Sequence, residues 1–194
     1  MADIWYAAYG SNLARDRFEA YLTGGRPAGA SRTYPGARDP SPPVDDRPLL
    51  LPGRIFFGCE SPTWGGGIAF YDNAGDGTVY ARGYRITRQQ FCDLAAQEMR
   101  RDPGVDLDLT RVLTERSHSY GPGRYETMHL VGELDGLPVL TFTAPADHGL
   151  RPNTPAAAYV ATILRGLQEC HGLRDGQAHS YLATAGATLG LPAS

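Results

Sequence analysis

Short apolar runs and one clear break organise the N-terminal third of the chain. An apolar and aromatic run over residues 4–9 predicts a first strand, and Gly10-Ser11-Asn12 predicts a turn into a helix over residues 13–22. Gly24-Gly25 predicts the end of that helix, because glycine favours the backbone conformation that terminates helices. Residues 26–53 are rich in Pro, Gly, Asp and Arg and predict a long irregular loop, since proline interrupts backbone pairing.

Strands dominate the middle of the chain. The apolar runs predict strands over residues 54–58, 67–71, 78–86, 125–134 and 137–143. Asp135-Gly136, between the last two runs, is the strongest hairpin signal in the sequence.

Helices are predicted at three further places. Thr87 and Gln90 form a capping-box pattern that starts a helix running to Arg100. Thr154-Pro155 predicts a cap and a first-turn proline for a helix ending near Cys170. A last helix is predicted over residues 175–189. The pattern predicts a single α+β domain over residues 1–194, with a small closed or half-closed mixed β-barrel.

One acidic residue stands out on the helix that follows Thr87. Phe91, Leu94, Ala95 and Glu98 are spaced i, i+3, i+4 and i+7, so Glu98 shares the face that should enter the core. Burial and the negative end of the helix dipole both disfavour its charged form, which predicts a raised pKa. A carboxyl group with a pKa nearer neutrality can both accept and donate a proton.

Structural alternatives stand beside these interpretations. Glu98 could be a buried partner of Arg82 or Arg85 on the preceding strand. The Gly10-Ser11-Asn12 junction could place backbone N–H groups against an anion, or it could be only a tight turn whose Ser or Asn caps the helix. Glu126 could be a second pocket carboxylate or an ion-paired rim residue.

Composition narrows the class of protein. The 194 residues are 42% hydrophobic and 20% charged, with a net charge of −3 and a pI near 5.9. These values are ordinary for a globular protein and predict neither nucleic acid nor membrane as a partner. Three widely spaced cysteines (Cys59, Cys92 and Cys170) and unclustered histidines predict no disulfide framework and no metal site. Without a signal-peptide pattern or an apolar span, a cytoplasmic location is expected.

Several segments together resemble the γ-glutamylcyclotransferase family. The signature-like octapeptide is Tyr6, Ala7, Ala8, Tyr9, Gly10, Ser11, Asn12 and Leu13. The similarity continues through Trp64-Gly65-Gly66-Gly67-Ile68, residues 79–84, the Gln97-Glu98 pair, Tyr125, and Tyr159 with Gly166 downstream.

The resemblance implies a small mixed β-barrel with flanking helices and a pocket at the octapeptide. It implies Glu98 as proton acceptor and no cofactor. It also implies a small γ-glutamyl amino acid, peptide or amine as substrate, bound by Tyr6, Ala7, Ala8, Tyr9, Gly10, Ser11, Asn12 and Tyr159. The substrate would cyclise to 5-oxoproline and release its amine.

The sequence departs from the family pattern at two places. Met99 follows Glu98 where glycine is common, and the Pro-rich lobe at about 26–58 exceeds what a minimal member needs. This lobe could cover the pocket mouth or be a solvated insertion. The Tyr-Gly-Ser-Asn order differs from the glutathione-specific branch, which has leucine after the serine, so other γ-glutamyl compounds are the expected substrates.

Three rival functions remain open at this point. The same cyclisation could remove a γ-glutamyl protecting group from a biosynthetic intermediate. The pocket could bind a small molecule without turnover. A hydrolase using Cys59 would instead produce glutamate. The residues leave the natural amine and the oligomeric state undetermined.

Overall fold

The computed structural model describes residues 3–26, 32–145 and 149–185. Five α-helices lie among them: α1 (Arg15–Thr23), α2 (Arg88–Glu98), α3 (Thr110–Glu115), α4 (Ala157–His171) and α5 (Asp175–Thr184). Eight strands accompany them: β1 (Asp3–Ala8), β2 (Asp45–Pro52), β3 (Arg54–Gly58), β4 (Ile68–Asp72), β5 (Thr78–Thr87), β6 (Ser117–Ser119), β7 (Thr127–Leu134) and β8 (Leu137–Thr143). The predicted α+β class is confirmed.

The strands form an open mixed sheet and a separate hairpin. Six strands run in the order β2-β5-β1-β8-β7-β6, and β3 pairs with β4 alone. Only the β1–β8 pair is parallel; the other neighbouring strands of the six-stranded sheet are antiparallel. Of the closed and half-closed barrels that the sequence allowed, the closed one is wrong for the described strands, because the sheet is open with edges at β2 and β6.

Side-chain hydrogen bonds join the β3–β4 hairpin to the six-stranded sheet. A closed barrel would instead need backbone hydrogen bonds between strands at this place. The Thr143 hydroxyl accepts a hydrogen bond from the N–H of Tyr71 at 3.1 Å and donates one to the carbonyl of Tyr71 at 2.9 Å. The Thr143 hydroxyl is therefore hydrogen-bonded to both the N–H and the carbonyl of Tyr71, which are the groups that a neighbouring strand would otherwise pair with. The hairpin packs on the sheet without closing it.

Residues 45–52 contradict the prediction of a wholly irregular segment before residue 54. They form β2, which pairs along its length with β5 and includes Pro48 and Pro52. Because β2 is an edge strand, the missing proline N–H groups need no partner on its open side. Proline content therefore excluded a central strand but not an edge strand.

Strand β1 divides the core into two halves. Trp5, Ala7 and the following Tyr9 pack toward the β3–β4 hairpin, α4 and α5. Ile4, Tyr6 and Ala8 point to the opposite face and pack against α1, α2 and α3. The end of β1 therefore lies between the two helical layers, with both of its faces covered.

The helix boundaries differ from the sequence predictions at several places. A 3₁₀ turn over Ser11–Leu13 precedes α1, which begins two residues later than expected. Helix α4 begins at Ala157 without a side-chain cap, so Thr154-Pro155 does not start it. Helix α3 and strand β6 were not predicted. The predicted end of α5, over residues 186–189, lies outside the described residues.

A glycine sets the distance between α4 and the turn after β1. A Cβ atom at Gly166 would lie 2.4 Å from the backbone nitrogen of Ala14 and 2.4 Å from the carbonyl carbon of Leu13. Backbone atoms cannot rotate away as a flexible side chain can. Gly166 therefore allows α4, which carries Tyr159, to contact the 3₁₀ turn directly.

Replacing Gly166 tests this contact. Gly166→Ala is expected to lower the free energy of unfolding by about 1–3 kcal/mol or more, as overpacking does in a dense core. Denaturant titration followed by circular dichroism measures the change. Gly176→Ala in α5 is the matched control: nothing lies within 4 Å of its Cβ position, so stability should stay constant or rise by up to about 1 kcal/mol. Equal effects of the two substitutions would refute the packing role.

Candidate active site

A cavity of about 340 Å³ lies at the end of β1, between the 3₁₀ turn, α1, α2 and α4. It brings together most of the residues singled out from the sequence. Its lining includes Tyr6, Tyr9, Gly10, Ser11, Asn12, Glu98, Tyr125 and Tyr159. The remaining lining residues are Arg17, Tyr21, Arg32, Tyr34, Ser61, Thr63, Trp64, Ile68, Ala69, Met99, Arg100, Gly123, Arg124 and Phe142.

Glu98 is the last residue of α2 and faces this cavity. The predicted capping box at Thr87 and Gln90 is formed and starts the helix. Phe91 and Leu94 on the same face as Glu98 are fully buried, which fixes the rotation of the helix. The helical spacing therefore delivers the carboxyl group to the cavity wall, where it keeps intermediate exposure.

Asn12 connects Glu98 to the turn after β1. Its Nδ2 donates hydrogen bonds to Glu98 Oε1 at 3.2 Å and to the Tyr6 hydroxyl at 3.3 Å. Its backbone carbonyl accepts a hydrogen bond from the Tyr84 hydroxyl at 2.8 Å. Asn12 does not cap a helix, as the sequence had allowed; its side chain instead positions the carboxyl group.

Burial raises the pKa of Glu98 above its ordinary value. Desolvation of the charged form is the largest cause. A hydrogen bond with Tyr21, the charge of Arg17, the hydrogen bond from Asn12 and the charge of Arg32 each lower the pKa without cancelling the rise. The environment therefore holds a proton on this carboxyl more readily than water would, and still stabilises the carboxylate once the proton leaves.

The predicted alternative of a sealed Glu98–arginine pair is not what the structure contains. Arg82 pairs with Asp46, and Arg85 pairs with Asp3. Both candidate partners on β5 are therefore occupied elsewhere. In residues 3–26, 32–145 and 149–185, the ion pairs within 4 Å do not include Glu98.

Glu126 has the structural role that the sequence left as an alternative. It is 7% exposed, and its Oε1 pairs with Arg101 at 2.8 Å. It does not belong to the cavity lining. Glu98 is thus the one carboxyl group among the described lining residues.

Tyr159 and Tyr125 both line the cavity. The Tyr159 hydroxyl accepts a hydrogen bond from the N–H of Ala69 at 3.1 Å. Because this bond uses a lone pair of the oxygen, the hydrogen of the hydroxyl stays available to a ligand. The Tyr125 hydroxyl donates to the carbonyl of Ala69 at 2.8 Å, so one residue of β4 holds both rings.

The octapeptide divides into residues that reach the cavity and residues that do not. The Gly10 Cβ position would lie 3.1 Å from the Tyr159 hydroxyl, so glycine admits this close approach. Ala7 and Ala8 are fully buried within β1 and do not line the cavity. Strand alternation directs the two methyl groups into the two core halves. The role of these two residues in substrate binding stays a prediction.

Arg17 is the main cavity residue that the sequence reasoning missed. Leu13, Arg17 and Tyr21 are spaced i, i+4 and i+8, and all three are at most 4% exposed. This periodicity was a usable signal, since it placed an arginine on the buried face of α1. Arg32 and Tyr34 were missed as individual residues because they lie in an irregular segment with no periodicity.

Of the remaining candidates from the sequence, Trp64 reaches the cavity and Cys59 does not. Trp64 lines the cavity and packs on Tyr159, with ring centroids 5.4 Å apart. Gly66 and Gly67 approach the backbone of residues 153–156: a Cβ at Gly67 would lie 2.0 Å from the Asn153 carbonyl oxygen. Cys59 is absent from the described lining.

Two properties of the described ranges bear on the predicted absence of metal and membrane. Within them, no three His, Cys, Asp or Glu side chains are grouped so that they could hold a metal ion. No helix within those ranges is both long and apolar enough to cross a bilayer.

Comparison with known proteins shows similarity to a curated protein and to solved structures. No family model matches the chain. Among curated proteins, it is 34% identical over 205 residues to "Histone deacetylase 5" of Arabidopsis thaliana. That match covers 94% of this chain and 31% of the relative, so the chain spans less than a third of that protein's length.

Two solved structures share the fold. A protein titled "Gamma-glutamyl cyclotransferase" matches with a TM-score of 0.56 and 17% identity, covering 94% of this chain and 88% of that one. An uncharacterized protein from Homo sapiens matches with a TM-score of 0.55 and 18% identity over the same shares. The resemblance drawn from the octapeptide and the Gln97-Glu98 pair is confirmed at the level of architecture: this chain has the fold of a γ-glutamylcyclotransferase.

Proposed function

We propose that the chain is a cofactor-independent enzyme that cyclises the γ-glutamyl group of a small amino acid, peptide or amine conjugate to 5-oxoproline. The observation that carries this proposal is the position of Glu98. Its carboxyl group lies on the cavity wall, its pKa is raised by desolvation, and Asn12 orients it. A group that has to take up and return a proton needs this combination of exposure to the ligand and shielding from water.

The proposed reaction begins with proton transfer to Glu98. The carboxylate removes a proton from the α-ammonium group of the substrate, and the freed nitrogen attacks the γ-carbonyl carbon. A new carbon–nitrogen bond closes the five-membered ring, and the carbonyl electrons move onto oxygen. Because nucleophile and electrophile belong to one molecule, the cavity has mainly to hold the folded-back conformer.

Collapse of the tetrahedral intermediate completes the reaction. The bond between the γ-carbon and the departing nitrogen breaks as Glu98 returns its proton to that nitrogen. The ring nitrogen, which carries two hydrogens after the attack, gives up one of them, and the departing amine takes it up at neutral pH. The products are therefore 5-oxoproline and an ammonium ion, and Glu98 is a carboxylate again. The free hydrogen of the Tyr159 hydroxyl and the turn at Gly10 border the cavity and are the groups we assign to the developing oxyanion.

The same cyclisation would also remove a γ-glutamyl protecting group from a biosynthetic intermediate. The two reactions would differ only in the amine that is released. A cavity that only binds a ligand is the alternative of another class. The cavity favours turnover, because a binding site gains nothing from a desolvated carboxyl group without an ion-pair partner in the described structure.

Glu98→Gln tests the assigned proton carrier. The amide keeps the size of the side chain and can still accept from Asn12, but it cannot take a proton. We expect kcat for 5-oxoproline release from a panel of γ-glutamyl amino acids and amines to fall by about 100- to 10,000-fold. Mass spectrometry of 5-oxoproline measures it, with circular dichroism verifying the fold.

Glu133→Gln is the matched control for that substitution. Glu133 is exposed on β7 and is not part of the cavity. Its replacement should leave the rate unchanged. Near-normal turnover by the Glu98→Gln protein would contradict the proposed role.

The raised pKa of Glu98 also predicts how stability depends on pH. The folded protein binds this proton more tightly than the unfolded chain does. The stabilising contribution is therefore complete below the ordinary value of 4.5 and disappears as pH rises through the folded pKa. Glu98→Gln, which is neutral throughout, should match the wild-type melting temperature near pH 4 and exceed it at neutral pH. A constant difference across this range would show that Glu98 titrates as it does in water.

A further inference from the structure

A buried guanidinium group lies in the cavity beside the proposed proton carrier. Arg17 is 4% exposed and is surrounded by aromatic rings. Its Cζ atom lies 4.5 Å from the ring centroid of Tyr34, 5.4 Å from that of Tyr21 and 5.5 Å from that of Trp64. The rings hold the planar group in one place.

Arg17 is incompletely paired within the described structure. One nitrogen, Nη2, donates a hydrogen bond to the Tyr34 hydroxyl. The buried Nε and Nη1 atoms, which carry most of the N–H donors, have no partner among the described residues. A buried charge with unmet donors is costly unless an anion completes it. Aromatic faces attract the cation but cannot accept its remaining hydrogen bonds in the way a carboxylate can.

The charge of the cavity supports an anionic ligand. The described lining contains four arginines, Arg17, Arg32, Arg100 and Arg124, and Glu98 as its one carboxylate. The chain as a whole has a net charge of −3. The cavity lining therefore has an excess of positive charge although the chain as a whole has an excess of negative charge, as expected for a site that attracts a negatively charged ligand.

The position of Arg17 relative to Glu98 identifies which anion fits. Arg17, Tyr21 and Glu98 line the same cavity, and the Tyr21 ring lies 5.4 Å from the Arg17 Cζ atom. Both the charge of Arg17 and the Tyr21 hydroxyl lower the pKa of Glu98, so the guanidinium and the carboxyl group lie near one another. A γ-glutamyl group carries its ammonium and its carboxylate on the same carbon, so their two partners must lie this close together.

We propose that Arg17 binds the α-carboxylate of the γ-glutamyl group and thereby places the α-amine against Glu98. This assignment rests on the proposed function for its substrate. It makes the free α-carboxylate a requirement of the site, whichever amine departs. Glu98 takes up the proton, and Arg17 sets which end of the substrate lies beside Glu98.

A pair of small probes tests the carboxylate site without turnover. L-5-oxoproline and 2-pyrrolidinone share the same ring, and only the first carries a carboxylate. Isothermal titration calorimetry with the wild-type protein should give at least about 10- to 100-fold tighter binding of 5-oxoproline, the range expected for a charge-assisted hydrogen bond. Equal affinities, or binding of neither probe, would overturn the assignment.

Variants of Arg17 assign that preference to one side chain. Arg17→Gln should reduce the affinity ratio of the two probes to about one, whereas Arg17→Lys, which keeps the charge, should retain part of it. Arg111→Gln, on the exposed face of α3, is the control and should bind as the wild type does. Thermal melts establish that each variant is folded. A folded Arg17→Gln protein that keeps the wild-type preference for 5-oxoproline over 2-pyrrolidinone would refute the proposal. If that variant does not fold, the affinity ratio of the wild-type protein is the deciding result.

Turnover of a second pair separates this inference from the proposed function. γ-Glutamylalanine and 4-aminobutyrylalanine can both cyclise, and both carry the carboxylate of alanine. Only the first also carries a carboxylate on the carbon that bears the attacking amine. Wild-type kcat/KM should favour γ-glutamylalanine by about 10- to 100-fold, and Arg17→Gln should remove the preference. Carboxylate-dependent binding without any cyclisation would uphold Arg17 and reject the enzyme. Cyclisation of both compounds at equal rates would uphold the enzyme and reject Arg17.

Discussion

The hydrogen bond between Asn12 and Glu98 joins two parts of the chain that are 86 residues apart, and the chemistry of the cavity depends on it. Asn12 belongs to the turn that ends the central strand, and Glu98 ends the helix that packs on it. Everything that fixes these two ends, including the capping box of α2 and the close approach of α4 at Gly166, contributes to the placement of one carboxyl group. Without this hydrogen bond, the carboxyl group at the end of α2 would be free to turn toward water.

Much of the fold follows from periodicity, and the exceptions have physical causes. The β7–β8 hairpin could be predicted because Asp135 and Gly136 both adopt positive φ, as that tight turn requires. The edge strand β2 could not, because its prolines are tolerated only where one side of the strand is unpaired. The open sheet could not be predicted from local sequence patterns either. The Thr143 side chain bonds to the backbone of Tyr71 in place of a strand ladder, and this contact joins residues far apart in the sequence.

The site was partly predictable for similar reasons. Helical spacing alone placed Glu98 on a buried face, and the octapeptide placed Asn12 beside a ligand-accessible turn. Whether Glu98 would meet an arginine depended on which acids compete for Arg82 and Arg85, and that is decided by tertiary contacts. Arg17 escaped notice because a charged residue in a helix is ordinarily solvated, although its spacing from Leu13 indicated otherwise.

The central claim is that bond cleavage is driven by the substrate's own amine, with Glu98 carrying the proton. The fate of solvent oxygen tests it most directly. Incubation of the protein with γ-glutamyl amino acids in ¹⁸O-labelled water, followed by mass spectrometry, should give 5-oxoproline and free amine without label, because no water enters the products. Glutamate carrying one ¹⁸O atom would contradict the claim, because it would mean that water, and not the α-amine, attacks the γ-carbonyl carbon.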